Sequence, residues 1–174
     1  MRAVPTSVNS SEAKLLRGVL LTILVLGVSL AGCQGTMGGI KGQHIQQPAQ
    51  IALVKAGQQS GKFSDGYVTV KYKYTAADGN LQIAGVVSFD SAISGNFQIV
   101  QTFDLGLLLG DAQGKILMQQ GLTTAVENSV SDPVNFNNTV FLPPQAAFMA
   151  FTYNGQAYGD GLSPTTFWAD PVER

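Results

Sequence analysis

Cysteine and histidine, the side chains most often recruited for nucleophilic and metal chemistry, each occur once in these 174 residues, as Cys33 and His44. Histidine-based activation of a nucleophile needs an imidazole held by a rigid scaffold within hydrogen-bond reach. His44 instead lies among Gly and Gln between Gly42 and Pro48, which predicts a solvated linker residue. A zinc site would lack both cysteine and histidine partners. The carboxylates Asp65, Asp78, Asp111, Asp132, Asp160 and Asp170 sit beside Gly, Ser, Pro or Ala, the contexts in which aspartate accepts backbone N–H bonds in turns. Asp90 and Asp104 fall at strand ends or faces, and only a buried face would give Asp104 an acid–base role of the glycosidase kind. Asp78-Gly79-Asn80 and Asp160-Gly161 offer oxygens, yet neither is followed by the spacing of a calcium loop. Residues 57–62 (GQQSGK) are one residue short of a phosphate loop and lack Ser or Thr after the lysine. The expectation is therefore no catalytic residue, no cofactor and no metal.

Cys33 has a more specific context. Lys14 and Arg17 precede a twelve-residue apolar run over 19–30 (VLLTILVLGVSL), and Ala31 and Gly32 stand directly before the thiol. A basic n-region, an apolar h-region too short to span a bilayer and small residues at a cleavage point describe a secretory signal. Leu30-Ala31-Gly32-Cys33 resembles the lipobox of bacterial lipoproteins. The resemblance implies diacylation of the Cys33 thiol, cleavage before it and acylation of the new N-terminus, so that the protein meets the membrane through lipidated Cys33. In lipoproteins of two-membrane cells, aspartate after the cysteine resembles an inner-membrane retention signal. Gln34 stands there, which implies the outer membrane facing the periplasm, with surface display as the alternative.

From Cys33 onward 142 residues remain, enough for one domain with a real core. They carry seven basic and ten acidic residues, a net charge of −3, with no basic run. The electrostatic footprint of a nucleic-acid binder is absent. Residues 33–62 are dominated by Gly and Gln and read as a lipidated flexible tether with a root-mean-square reach of roughly 30 Å. Ile51-Ala52-Leu53-Val54 interrupts that composition as a candidate short edge strand. The division expected is a signal peptide over 1–32, the tether over 33–62 and a folded domain over 63–174.

The folded part has an apolar period of two. Val68, Val70, Tyr72 and Tyr74 alternate with Thr69, Lys71, Lys73 and Thr75, and Leu81, Ile83, Val87 and Phe89 resume the alternation after the turn residues 77–80. That placement puts Tyr72 and Tyr74 in the core rather than on a sugar-stacking surface. Phe97 to Leu109 predicts a third strand, 115–120 its hairpin partner, 134–142 another strand, and 147–153 a last clear strand closing at Asn154-Gly155. Short strands about ten residues apart predict an all-β, single antiparallel β-sandwich. The end of that last strand resembles the later strands of immunoglobulin-like or transthyretin-like domains over a few residues only. Phe167 and Trp168 are expected to pack together on the domain edge as a closing strand; left exposed, the pair would be a binding patch.

These features suit a membrane-anchored accessory or protein-interaction domain of the cell envelope, without catalysis and with an envelope protein as partner. The alternative is a ligand-binding module for cell-wall glycan or another small molecule, which a concave aromatic patch including Trp168 would favour.

Overall fold

The computed structural model describes residues 39–173. Cys33, Gln34 and the expected signal peptide lie outside the described residues. Among the described residues there are nine strands: β1 (Ile51–Ala52), β2 (Gln58–Ser64), β3 (Val68–Ala77), β4 (Asn80–Phe89), β5 (Ile99–Gly110), β6 (Ile116–Ser129), β7 (Val134–Phe141), β8 (Phe148–Gly159) and β9 (Leu162–Ala169), with a 3-10 turn at Gln47–Ala49 before β1 and one short α-helix, α1 (Ser91–Ser94), between β4 and β5. Every strand pairing is antiparallel. One sheet has the order β2-β3-β4-β7; in the other β6 pairs β5, β5 pairs β8, and the far edge of β8 is shared by β1 and β9. The two sheets face each other across one core, so the chain is an antiparallel β-sandwich.

The period-two pattern explains the strands. Val68, Val70, Tyr72 and Tyr74 are buried while Lys71 and Lys73 are exposed, as a half-buried strand requires. The β3–β4 hairpin turns through Asp78 and Gly79, both at positive φ (52° and 71°), the twist that matches a right-handed two-residue hairpin and that glycine adopts without strain. Across the core, Phe151 of β8 packs 5.1 Å from Tyr72 and 5.8 Å from Phe63, ring centre to ring centre. A second aromatic group joins Phe89, edge-on at 5.3 Å, to Phe103, which also meets Tyr153 and Phe167.

Three expectations are corrected. The stretch 39–62 belongs to the domain rather than to a tether. Ile45 is fully buried with Leu108, Ile116, Ala150 and Val172 in a small second core on the outer side of the five-stranded sheet. Its amide donates to the Gly114 carbonyl (2.8 Å) in the β5–β6 turn, the Ile116 amide donates to the Gln43 carbonyl (2.7 Å), and the Glu173 amide donates to the His44 carbonyl (2.8 Å), so the segment is laced to the start of β6 and to the stretch after β9. Farther on, β2 pairs with β3 along its whole length. Ladder bonds come from the backbone and do not depend on polar side-chain composition, which is why a Gly- and Gln-rich segment can be an edge strand. The Ile51–Ala52 piece is indeed a short edge strand.

Two strands are longer than their apolar runs. β6 continues to Ser129 and β8 to Gly159, so Asn154-Gly155 is mid-strand and not a turn. Gly155 is there for close approach: a Cβ on it would collide with the Phe167 ring. Finally, Phe167 and Trp168 do not pack as a pair. On β9 they point to opposite faces, Phe167 into the core at 2% exposure and Trp168 outward at 61%.

Candidate binding surface

The outer face of the five-stranded sheet is built by register. Trp168 on β9 pairs with Asn154 on β8, Asn154 with Asp104 on β5, and Asp104 with Thr124 on β6. Because side chains at paired positions share a face, these four form one transverse row across four strands. The neighbouring row holds Thr152, Gly106 and Gly121. The two glycines lie opposite each other; the Thr152 methyl leans over Gly106, while the space above Gly121 is open. Together these rows line an open concavity of about 810 Å³, with Gln119 and Asp170 among its lining residues.

Its polar groups are partly fixed. The Thr124 hydroxyl donates to Asp104 Oδ1 at 2.6 Å, which orients the carboxylate and leaves it further acceptor capacity. The Thr152 hydroxyl donates to the Ala169 carbonyl at 2.8 Å and ties β8 to the end of β9 beside Trp168. Asp104, Thr124, Asn154, Trp168 and Asp170 are all exposed. Among the described residues, no lysine, arginine or histidine lines the concavity. The outer face of the other sheet has the opposite character: Lys62 and Lys71 are direct cross-strand partners, and Lys73 follows two residues on.

The residues singled out in the sequence are scattered. His44 is exposed and joins Lys115 only through a backbone bridge. Asp104 faces outward, not into a buried face. Asp65 and Asp90 are turn carboxylates with more partners than a turn needs. Asp65 accepts the amides of Tyr67 (3.1 Å) and Val68 (3.2 Å) and the hydroxyl of Tyr153, and Asp90 accepts the Thr69 hydroxyl at 2.9 Å. Burial, reinforced by the bond to Asp65, pushes the Tyr153 phenol well above its ordinary range. Of the pair expected to pack, with a binding patch as the alternative, Phe167 is core and Trp168 reaches the surface.

Sequence reasoning did not find Asn154, Thr124, Thr152 and Asp170 as companions of Trp168. The usable signal was the alternation itself: carried through Asn154 it places that residue on the same face as Thr152 and opposite to Tyr153.

No protein-family model matches the chain, and no curated protein or solved structure matches it.

Proposed function

We propose that the protein is a lipid-anchored component of the cell envelope whose sandwich works without catalysis, using the concave outer face of the five-stranded sheet to hold a partner. The anchoring part rests on the lipobox resemblance of Leu30-Ala31-Gly32-Cys33. Among the described residues, no helix is long and apolar enough to cross a membrane. If Cys33 carries the lipid, the six residues from it to Gly39 can reach no farther than about 20 Å, which supports a partner in the envelope itself.

The observation that carries the binding role is the in-register row of Trp168, Asn154, Asp104 and Thr124 along an open concavity. Trp168 presents a large apolar ring to the concavity at 61% exposure, and tryptophan is a residue type enriched at binding hot spots. Both carboxylates at the concavity are exposed, whereas an acid–base pair needs one carboxyl held protonated in an apolar pocket. Hydrogen bonding to a ligand suits them better than proton transfer.

The test is photo-crosslinking in the native membrane. A photoreactive residue replacing Gln156, which pairs with Thr102 and Thr166 in the row next to Trp168, should capture the partner. The same residue replacing Gln82, on the outer face of the other sheet, should not. Capture from Gln82 alone would refute the assignment of this face.

A further inference from the structure

We infer that the concavity on the five-stranded sheet recognises a neutral, hydroxyl-rich chain, an uncharged oligosaccharide, with Trp168 as the stacking platform; this rests on that face being the recognition surface. The groups on the page select the ligand by exclusion and by fit. Asp104, whose side-chain partner is the neutral Thr124 hydroxyl, stands in the middle of the row, and no described lysine, arginine or histidine lines the surface, so phosphates, nucleic acids and acidic sugars meet a carboxylate there. An acyl chain would strip water from Asp104, Asn154 and Thr124 and give no hydrogen bonds in return. A quaternary ammonium is best held by a cage of several rings, and here Tyr153 is buried with its hydroxyl committed to Asp65, which leaves one exposed ring.

What remains is a ligand with an apolar C–H face for the indole and a rim of hydroxyls. Pyranose rings have both. Asp104 supplies a strong acceptor for sugar hydroxyls, pre-oriented by Thr124, and Asn154 supplies a donor and an acceptor between it and Trp168. The row crosses three interstrand spacings, about 14 Å, which suits a short run of sugar rings better than one. A volume of about 810 Å³ is within the ordinary range for ligand sites.

Trp168 is the chain's only tryptophan, so its fluorescence reports the site directly. Chitotetraose, cellotetraose and maltotetraose, titrated into the lipid-free chain beginning at Gln34, should produce a saturable change in that fluorescence with at least one of them. Tetragalacturonic acid, the anionic control, and choline chloride should not. By calorimetry, Trp168→Ala should weaken the neutral sugar by roughly tenfold, and Trp168→Phe should recover much of the loss. Asp104→Asn should weaken it severalfold and reduce the discrimination against tetragalacturonic acid. Both positions are exposed, so the variants should fold as the parent does. Saturable binding of choline, or of tetragalacturonic acid more tightly than of any neutral sugar, overturns the inference. So does silence with all three neutral sugars. If that silence comes with a protein captured from Gln156, the face still binds and only the ligand class is wrong; if nothing is captured from Gln156 either, the functional proposal falls with it.

Discussion

The Tyr153 hydroxyl, carried by β8 of one sheet, donates a hydrogen bond to the Asp65 carboxylate in the β2–β3 turn of the other. Asp65 also accepts the Tyr67 and Val68 amides that shape its own turn. One side chain thus closes a turn and clamps the two sheets at one end of the core. The clamp is charge-assisted and part-buried, with the Tyr153 ring in the core and Asp65 at the surface, and such bonds are stronger than neutral ones.

Replacing Tyr153 with Phe should cost about 1.5–3 kcal/mol at neutral pH, measured by urea unfolding, because the ring packing is kept and a hydrogen bond to a charged group is lost. The same variant should change the alkaline limb. Burial and the Asp65 bond raise the folded-state pKa of Tyr153 above that of the unfolded phenol. Below about pH 10 the group is protonated in both states and its contribution is fully present. At higher pH the unfolded chain ionises first and binds fewer protons, so stability falls with rising pH. Tyr72, raised chiefly by burial, acts in the same direction, so Tyr153→Phe should flatten that fall without abolishing it. An unchanged alkaline limb would count against the clamp.

Phe151→Ala should be among the most damaging single changes. The ring is 1% exposed and sits between Tyr72 and Phe63 of the opposite sheet. Its truncation should cost about 3–5 kcal/mol, a large share of the ~5–15 kcal/mol that holds a domain of this size. The check is the midpoint of chemical unfolding.

Ile45→Ala and His44→Ala should separate sharply although the residues are neighbours. Ile45 is fully buried in the second core, so losing it should cost about 2–5 kcal/mol. His44 is exposed and contributes backbone bonds that alanine keeps, so His44→Ala should lie within about 0.5 kcal/mol of the parent. Equal, negligible effects would restore the tether reading of this segment.

Cys33→Ser should abolish membrane attachment or leave uncleaved precursor, if the thiol carries the lipid. Incorporation of labelled palmitate is the measurement. Equal labelling of parent and variant would end the lipoprotein proposal.

The candidate site was the less legible part. Trp168 was visible as the only tryptophan, expected to pack with Phe167, but its companions come from β5, β6 and β8, and strand order is not encoded in any local period. Asp104 was marked as a carboxylate on an apolar strand; only pairing with Asn154 and Thr124 shows that its face is the wet one. Asn154-Gly155 carries the composition of a turn, and the glycine is there instead to admit Phe167.

By itself the sequence determined the β class and the inner faces of the main strands, because alternation is a local property fixed by the pleat and Val68, Val70, Tyr72 and Tyr74 can only alternate one way. It also located the Asp78-Gly79 turn, whose positive φ angles are a local demand. The tertiary structure alone decided where the domain starts, since Ile45 is buried only once Leu108, Ala150 and Val172 have been brought together from distant parts of the chain. It likewise decided that Phe167 and Trp168 part company and that Trp168 lies beside Asn154, Asp104 and Thr124. Burial and cross-strand neighbourhood are set by backbone pairings between segments tens of residues apart, and those pairings leave no trace in the composition of either segment.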